Sequence, residues 1–329
     1  MIAALILSGY AALVALAAPV LLRRYWPADR LPRLTLALLP VLTCSFLVAA
    51  VTSGLAVAVT LLSGLSELDP ALDACVDQLP LADTPTGALL GRLALAVSAG
   101  LVLRTLYCLV TTFATARRRQ AGHARMLRML AVRDERLGVL VLDHPAPACY
   151  CLPGGDIVIT SGALSRLDGP QLEAVLQHER AHLSGRHHLI IALATAVRRT
   201  VPRVRLLSYA EAETRRLVEL IADDAAVART GARTVVAALA AIGTGHAEPP
   251  EATLGIGSSP LLTRVQRLLG LDRALSRRGR IASRAAVGVL ALLPVLLLTI
   301  SARSLLRECP PDPDDAGRPG AAVVRVVTR

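Results

Sequence analysis

The sequence contains no lysine and no asparagine. All 36 of its basic side chains are therefore arginine, set against 25 acids for a net charge of +11. Lysine and asparagine codons all begin AA, so their joint absence points to a GC-rich bacterial genome, which bears on source rather than function. Aromatics are almost as scarce, with two Phe and one Trp. A net charge of this size suggests nucleic acid as a partner. With so few rings to stack on bases, and with the arginines flanking apolar runs, membrane-flanking charge is the better explanation, and no nucleic-acid partner is expected. What is abundant is apolar: 53% hydrophobic residues and a mean hydropathy of +0.53 exceed the usual share of a soluble domain.

Ile2 to Leu22 is uncharged and long enough to span a bilayer core. A signal peptide with Ala15-Leu16-Ala17 as its cleavage site is the alternative. It lacks a positive n-region, and Arg23-Arg24 follows the apolar run, so an uncleaved helix with its N-terminus outside is expected. Arg23, Arg24, Arg30 and Arg33 then form a short cytoplasmic loop, broken by Pro27 and Pro32. Apolar runs predict a second span over about 35–62 and a third over about 89–113, with Arg117-Arg118-Arg119 marking its cytoplasmic end. The loop 63–88 has no arginine, which fits the outer side. Arg104, deep in the third span, is expected to snorkel or to face the bundle. A polar–apolar domain follows over 117–284, then a fourth span over 285–302 and a short extracytoplasmic tail, 303–329.

Within that domain, Gln177-His178-Glu179-Arg180-Ala181-His182 carries the pattern H-E-x-x-H. Leu172, Val175 and Leu176 have helical spacing, and Asp168-Gly169-Pro170-Gln171 reads as the helix start: a capping Asp, Pro in the first turn, and Gln three residues after the cap. On that helix His178 and His182 stand one above the other on one face, within reach of one zinc ion. Glu179 lies beside them, placed to take a proton from the attacking water.

Two third ligands are open. His188 formally completes H-E-x-x-H-x-x-G-x-x-H, but that pattern needs a methionine turn downstream, and Met1, Met126 and Met129 all lie upstream. His187 and His188 read better as polar residues near a helix end. Glu219 is the stronger candidate. It shares a helix face with Asp223, completes two histidines and a glutamate with a fourth position open for water, and leaves Asp223 to accept the second ring N–H of a ligating histidine.

H-E-x-x-H followed some forty residues later by E-x-x-A-D resembles the gluzincin membrane proteases: the CAAX prenyl protease, HtpX, and the peptidases related to the beta-lactam sensor-transducers. Ala148 to Gly154, then Asp156 to Leu164, is similar to that family's edge strand, second strand and the helix leading into the zinc helix. Ser259-Pro260 with Arg264-Val265 and Leu268-Leu269 is similar to its closing segment. The membrane layout favours the sensor-transducer branch, without its outer penicillin-binding domain. The resemblance implies a mainly α architecture: four transmembrane helices and a cytoplasmic α+β zinc-peptidase domain with a small sheet. It implies one zinc per chain on His178, His182 and Glu219, with Glu179 as base, and an extended peptide added along the edge strand at Ala148, Cys149, Tyr150 and Cys151.

The expectation is a zinc endopeptidase of the bacterial cell membrane that acts at the cytoplasmic side on a protein or peptide, such as a cytoplasmic repressor or itself. A quality-control protease of HtpX type, or a non-enzymatic scaffold stabilised by zinc, are the alternatives. Tyr209 and the pair Arg215-Arg216 are candidates to stabilise the transition state. Cys44 and Cys108 fall in spans, Cys149 and Cys151 share one face of a strand, and Cys75 with Cys309 are expected outside, where they could pair.

Overall fold

A computed structural model of the protein describes residues 2–62, 84–152, 154–243 and 260–270, with the single residues 281, 285 and 299. Cys75 and Cys309, most of the expected outer loop, the tail, and all but single residues of the expected fourth span lie outside the described residues. Described Cys44, Cys108, Cys149 and Cys151 are free thiols.

The protein is mainly helical with one small mixed sheet. Among the described residues, three helices are long and apolar enough to cross a membrane: α1 (Ile2–Tyr25), α2 (Pro32–Leu61) and α3 (Pro85–Leu130). The sequence reading places the end of the third span at the arginine triplet, yet α3 continues through Arg117-Arg118-Arg119 to Leu130. Arginine is a good helix former, so a charged run that ends an apolar stretch need not end the helix. The division at 116/117 therefore falls inside a helix.

The chain divides into two compact units. The described part of the first falls within Met1–Leu13 and Ser45–Leu103. Small and hydroxyl side chains join its helices: Ser53 Oγ donates to Ala4 O at 3.1 Å, Tyr10 OH to Ser45 Oγ at 3.1 Å, and a Cβ on Gly54 would overlap the Ser98 hydroxyl. Such contacts let apolar helices approach where no hydrophobic force separates helix from lipid.

The second unit takes Val14–Cys44 and Arg104–Gly288. Its sheet comprises β1 (Val132–Asp134), β2 (Val139–Leu142), β3 (Cys149–Cys151) and β4 (Ile157–Thr160), in the order β1-β2-β4-β3. β2 and β4 run parallel, the other pairs antiparallel, and β3 stands at the edge. Strand alternation separates two cores. Leu140, Leu152 and Val158 face Ala124 and Leu127 at the end of α3. Val139, Ile157 and Ile159 face Leu176 of the next layer, where Cys149 and Cys151 also pack. All four residues of β4 are buried, since it is covered on both faces.

After the short α4 (Ser161–Leu164) come α5 (Gly169–Ser184), α6 (His187–Thr200), α7 (Arg205–Thr230), α8 (Ala232–Gly243) and α9 (Pro260–Leu268). α5 starts as its sequence requires: Gln171 N–H donates to Asp168 Oδ1 at 2.8 Å, Asp168 N–H donates back to Gln171 Oε1 at 3.3 Å, and Pro170 occupies the first turn. α6, the apolar stretch too short to span, lines one apolar cavity through Ile190, Leu193 and Val197 together with Leu36, Leu39 and Pro40 of α2. Arg104 faces protein: Nε donates to Thr200 O at 2.6 Å and Nη2 to Arg199 O at 3.4 Å, so a cation caps the carbonyl end of α6.

Candidate metal centre

α5 and α7 pack side by side, and the face of α5 that carries His178 and His182 meets the face of α7 that carries Glu219 and Asp223. Helical spacing stacks each pair; packing of the apolar faces brings the two pairs together. His178 Nε2 lies 3.1 Å from His182 Nε2 and 3.5 Å from Glu219 Oε2, and His182 Nε2 lies 3.6 Å from Glu219 Oε1. Three donors at zinc's usual bond lengths of 2.0–2.1 Å from a tetrahedral centre stand about 3.3–3.4 Å apart. The triangle therefore fits zinc without rearrangement, and it is the one cluster of at least three potential metal-holding side chains among the described residues.

Each imidazole is held from behind. His178 Nδ1 lies 3.1 Å from Asp223 Oδ1, and the Asp223 side chain is fully buried. Arg264 of α9 grips the same carboxylate in a fork, Nε to Oδ2 at 2.8 Å and Nη2 to Oδ1 at 2.6 Å, and sets Nη1 3.4 Å from Glu219 Oε2. Burial opposes ionisation of Asp223, but the Arg264 and His178 hydrogen bonds outweigh it and hold the carboxyl at about 2. Burial likewise opposes charging of His178, yet its bonds to Asp223 and Glu219 push it up to about 9. Burial and the charge of His178 together press His182 down to about 4.

His182 has a different support. Its Nδ1 is 2.9 Å from Nδ1 of His187, a buried ring at the start of α6. When Nε2 of His182 offers its lone pair to a cation, the ring proton lies on Nδ1, in place to donate to His187. The link between α5 and α6 makes this possible. Gly185 leaves room where a Cβ would overlap the His187 imidazole, and Arg186 adopts the left-handed conformation, φ 48°, the one non-glycine residue to do so among those described. His188 lies on α6 outside the donor triangle.

Glu179 is buried beside the triangle and lines a cavity of about 360 Å³ with His178 and Glu219. Burial pushes its carboxyl above the ordinary carboxylate range, while the N–H and thiol of Cys151 donate to it. The opposite wall is apolar, with Val235, Leu239 and Ile242 of α8 and Leu261 of α9. Of the expected substrate strand, Cys149, Tyr150 and Cys151 form the sheet edge, and Cys149 reaches the cavity.

Tyr209 and Arg215-Arg216 are not brought to this cavity. Arg215 bonds Glu211 and Thr195, and Arg216 bonds Glu213 and Asp29, because they lie on other faces of α7. The residues that sequence reasoning missed are Arg264 and His187. The only signal for Arg264 was its place in the closing segment.

No curated protein and no solved structure matches the chain. Residues 114–272, just under half of it, match the model of peptidase family M48, a metallopeptidase family that includes the HtpX and CAAX protease types, so the stretch that holds the donor triangle is similar to a metallopeptidase domain and begins inside the third apolar helix.

Proposed function

We propose that this protein is a zinc-dependent endopeptidase of the bacterial cell membrane, with one zinc on His178, His182 and Glu219 and with Glu179 as general base. The observation that carries the reading is the donor triangle closed to 3.1–3.6 Å beside a buried glutamate on one cavity. Bound zinc would supply a Lewis acid for the scissile carbonyl. Glu179, its affinity for protons raised by burial, takes the proton of the attacking water and hands it to the leaving amine. Asp223 and His187 hold the two rings in the tautomer that turns Nε2 inward. A substrate strand lies along Ala148 to Cys151 and sets an apolar side chain against Val235, Leu239 and Ile242.

The finer layout belongs to the same proposal: four spans, both termini outside, and the peptidase domain facing the cytoplasm. The substrate is a cytoplasmic repressor or the chain itself, as the sensor-transducer resemblance suggests. The alternative is quality control of membrane proteins in the manner of HtpX; the match to M48 supports a metallopeptidase under either reading.

The test is Glu179→Gln. It keeps shape and removes the base, so cleavage should fall by at least about 10²–10⁴-fold while zinc content stays at that of the wild type. Terminal-peptide proteomics of matched membranes would read the fragments lost. One short regulator among them supports signalling, and many damaged membrane proteins support quality control. Identical fragments in both strains would leave only a zinc-stabilised scaffold.

A further inference from the structure

A second cavity, of about 550 Å³, opens away from the donor triangle, between the α1–α2 link and α7. Its wall carries Arg23, Arg24, Arg30 and Arg216 with Trp26 and Tyr209. Asp29 and Glu213 line it too, and Arg216 binds both, Glu213 at 2.6 and 3.0 Å and Asp29 as well. Arg23 is laid over the Tyr209 ring, 5.1 Å from its centroid, which fixes its guanidinium at the cavity without neutralising it. Among the described residues no carboxylate pairs with Arg23, Arg24 or Arg30, and all three are exposed. The wall thus holds four guanidinium groups against two carboxylates, and this excess of positive charge suits a phosphate-type anion, which arginine binds through its forked donors.

The position selects the source. Arg23 and Arg24 are the last-turn cations of α1, so the cleft opens where an apolar helix long enough to span a bilayer ends. Tyr25, exposed, and Trp26, half-buried, flank it at the level where amphipathic rings meet headgroups. We infer that this cleft binds the phosphodiester of an anionic phospholipid. The wall opposite the arginines is α7, which also carries Glu219, so a bound headgroup braces the helix that completes the donor triangle.

Trp26 is the sole tryptophan of the chain and stands in the cleft, so it reports occupancy directly. Full-length protein would be placed in phosphatidylcholine bilayers doped with a minor fraction of tail-brominated phosphatidylglycerol, or with the same fraction of tail-brominated phosphatidylcholine. Brominated phosphatidylglycerol should quench Trp26 more. Arg23→Gln, Arg24→Gln and Arg30→Gln should each weaken that preference about fivefold, and the triple variant should erase it. The control Arg117→Gln/Arg118→Gln/Arg119→Gln should keep it, and circular dichroism should show both triples folded. Equal quenching by the two lipids, or equal loss in both triple variants, would overturn the site. Inorganic phosphate at constant ionic strength should not compete; if it abolishes the preference, the ligand is a soluble phosphate and the lipid assignment is wrong.

Discussion

His178 and His182 stand one turn apart on α5, yet they are held by opposite kinds of partner. Behind His178 the support is ionic and distant in sequence: Asp223, fully buried, forked by Arg264 from a helix 41 residues further on. Behind His182 it is neutral and local: His187, five residues on, set in place by a left-handed turn. A carboxylate both orients an imidazole and makes it more basic; a second imidazole orients without adding charge. The two nitrogens offered to a cation thus differ in basicity, with His178 held up at about 9 and His182 down at about 4. In metal-free protein near neutral pH the site carries one imidazolium, on His178, which keeps the Glu219 carboxyl below its ordinary range.

Breaking the ionic support should have the larger effect. Asp223→Asn keeps size and an acceptor oxygen but leaves the Arg264 guanidinium, 18% exposed, without its main partner. Stability should fall by about 3–5 kcal/mol, toward the lower figure because Glu219 remains 3.4 Å from Arg264. Zinc affinity should drop about 10–100-fold. Urea denaturation and competition with a chelator measure the two. Adding Arg264→Met to Asp223→Asn should restore part of the stability, since no buried charge is then stranded, but not the affinity. If Asp223→Asn leaves both unchanged, the chain from Arg264 to His178 has no energetic role.

Breaking the neutral support should cost less. His187→Ala removes one hydrogen bond and a buried ring but strands no ion, so zinc affinity should fall about tenfold, at the low end of outer-partner effects. His187→Gln offers an acceptor oxygen to the His182 N–H and should recover most of that loss. His188→Ala, outside the donor triangle, should change neither. A loss in the His188 variant equal to that in the His187 variant would show that the turn, not the contact, is what matters.

Legibility followed the range of the interaction. The cap of α5 was readable because Asp168, Pro170 and Gln171 act on their own helix within one turn. His178, His182, Glu219 and Asp223 were readable as two i, i+4 pairs, and packing of α5 on α7 brings the pairs together. Arg264 was not readable as a member, because nothing within its own helix shows that it reaches across to Asp223. β1 was missed for a related reason: Val132-Arg133-Asp134 has no buried face to leave an alternating pattern. The continuation of α3 to Leu130 was not readable, because an arginine run can mark the end of an apolar span without interrupting helical hydrogen bonding. The support that His187 gives was not readable, because His187 and His188 read alike as polar residues near a helix end, and the sequence does not show how Gly185 and Arg186 reset the register between α5 and α6.

That reset supplies the smallest test. Arg186 holds φ 48°, ψ 39°, a conformation that costs an L-residue with a Cβ about 1–2 kcal/mol and costs glycine nothing. Arg186→Gly should therefore relieve strain in the folded chain. The same substitution gives the unfolded chain more freedom, which takes back about 0.5–1 kcal/mol. A net gain of up to about 1.5 kcal/mol remains, read as a rise in the denaturation midpoint at unchanged slope. Zinc affinity should not move, because the turn keeps its shape and His187 keeps its place. Arg186→Ala retains the Cβ and should gain nothing. If Arg186→Gly instead lowers zinc affinity as far as His187→Ala does, the strained arginine is itself part of what holds His182, and the neutral flank depends on backbone rigidity rather than on one hydrogen bond.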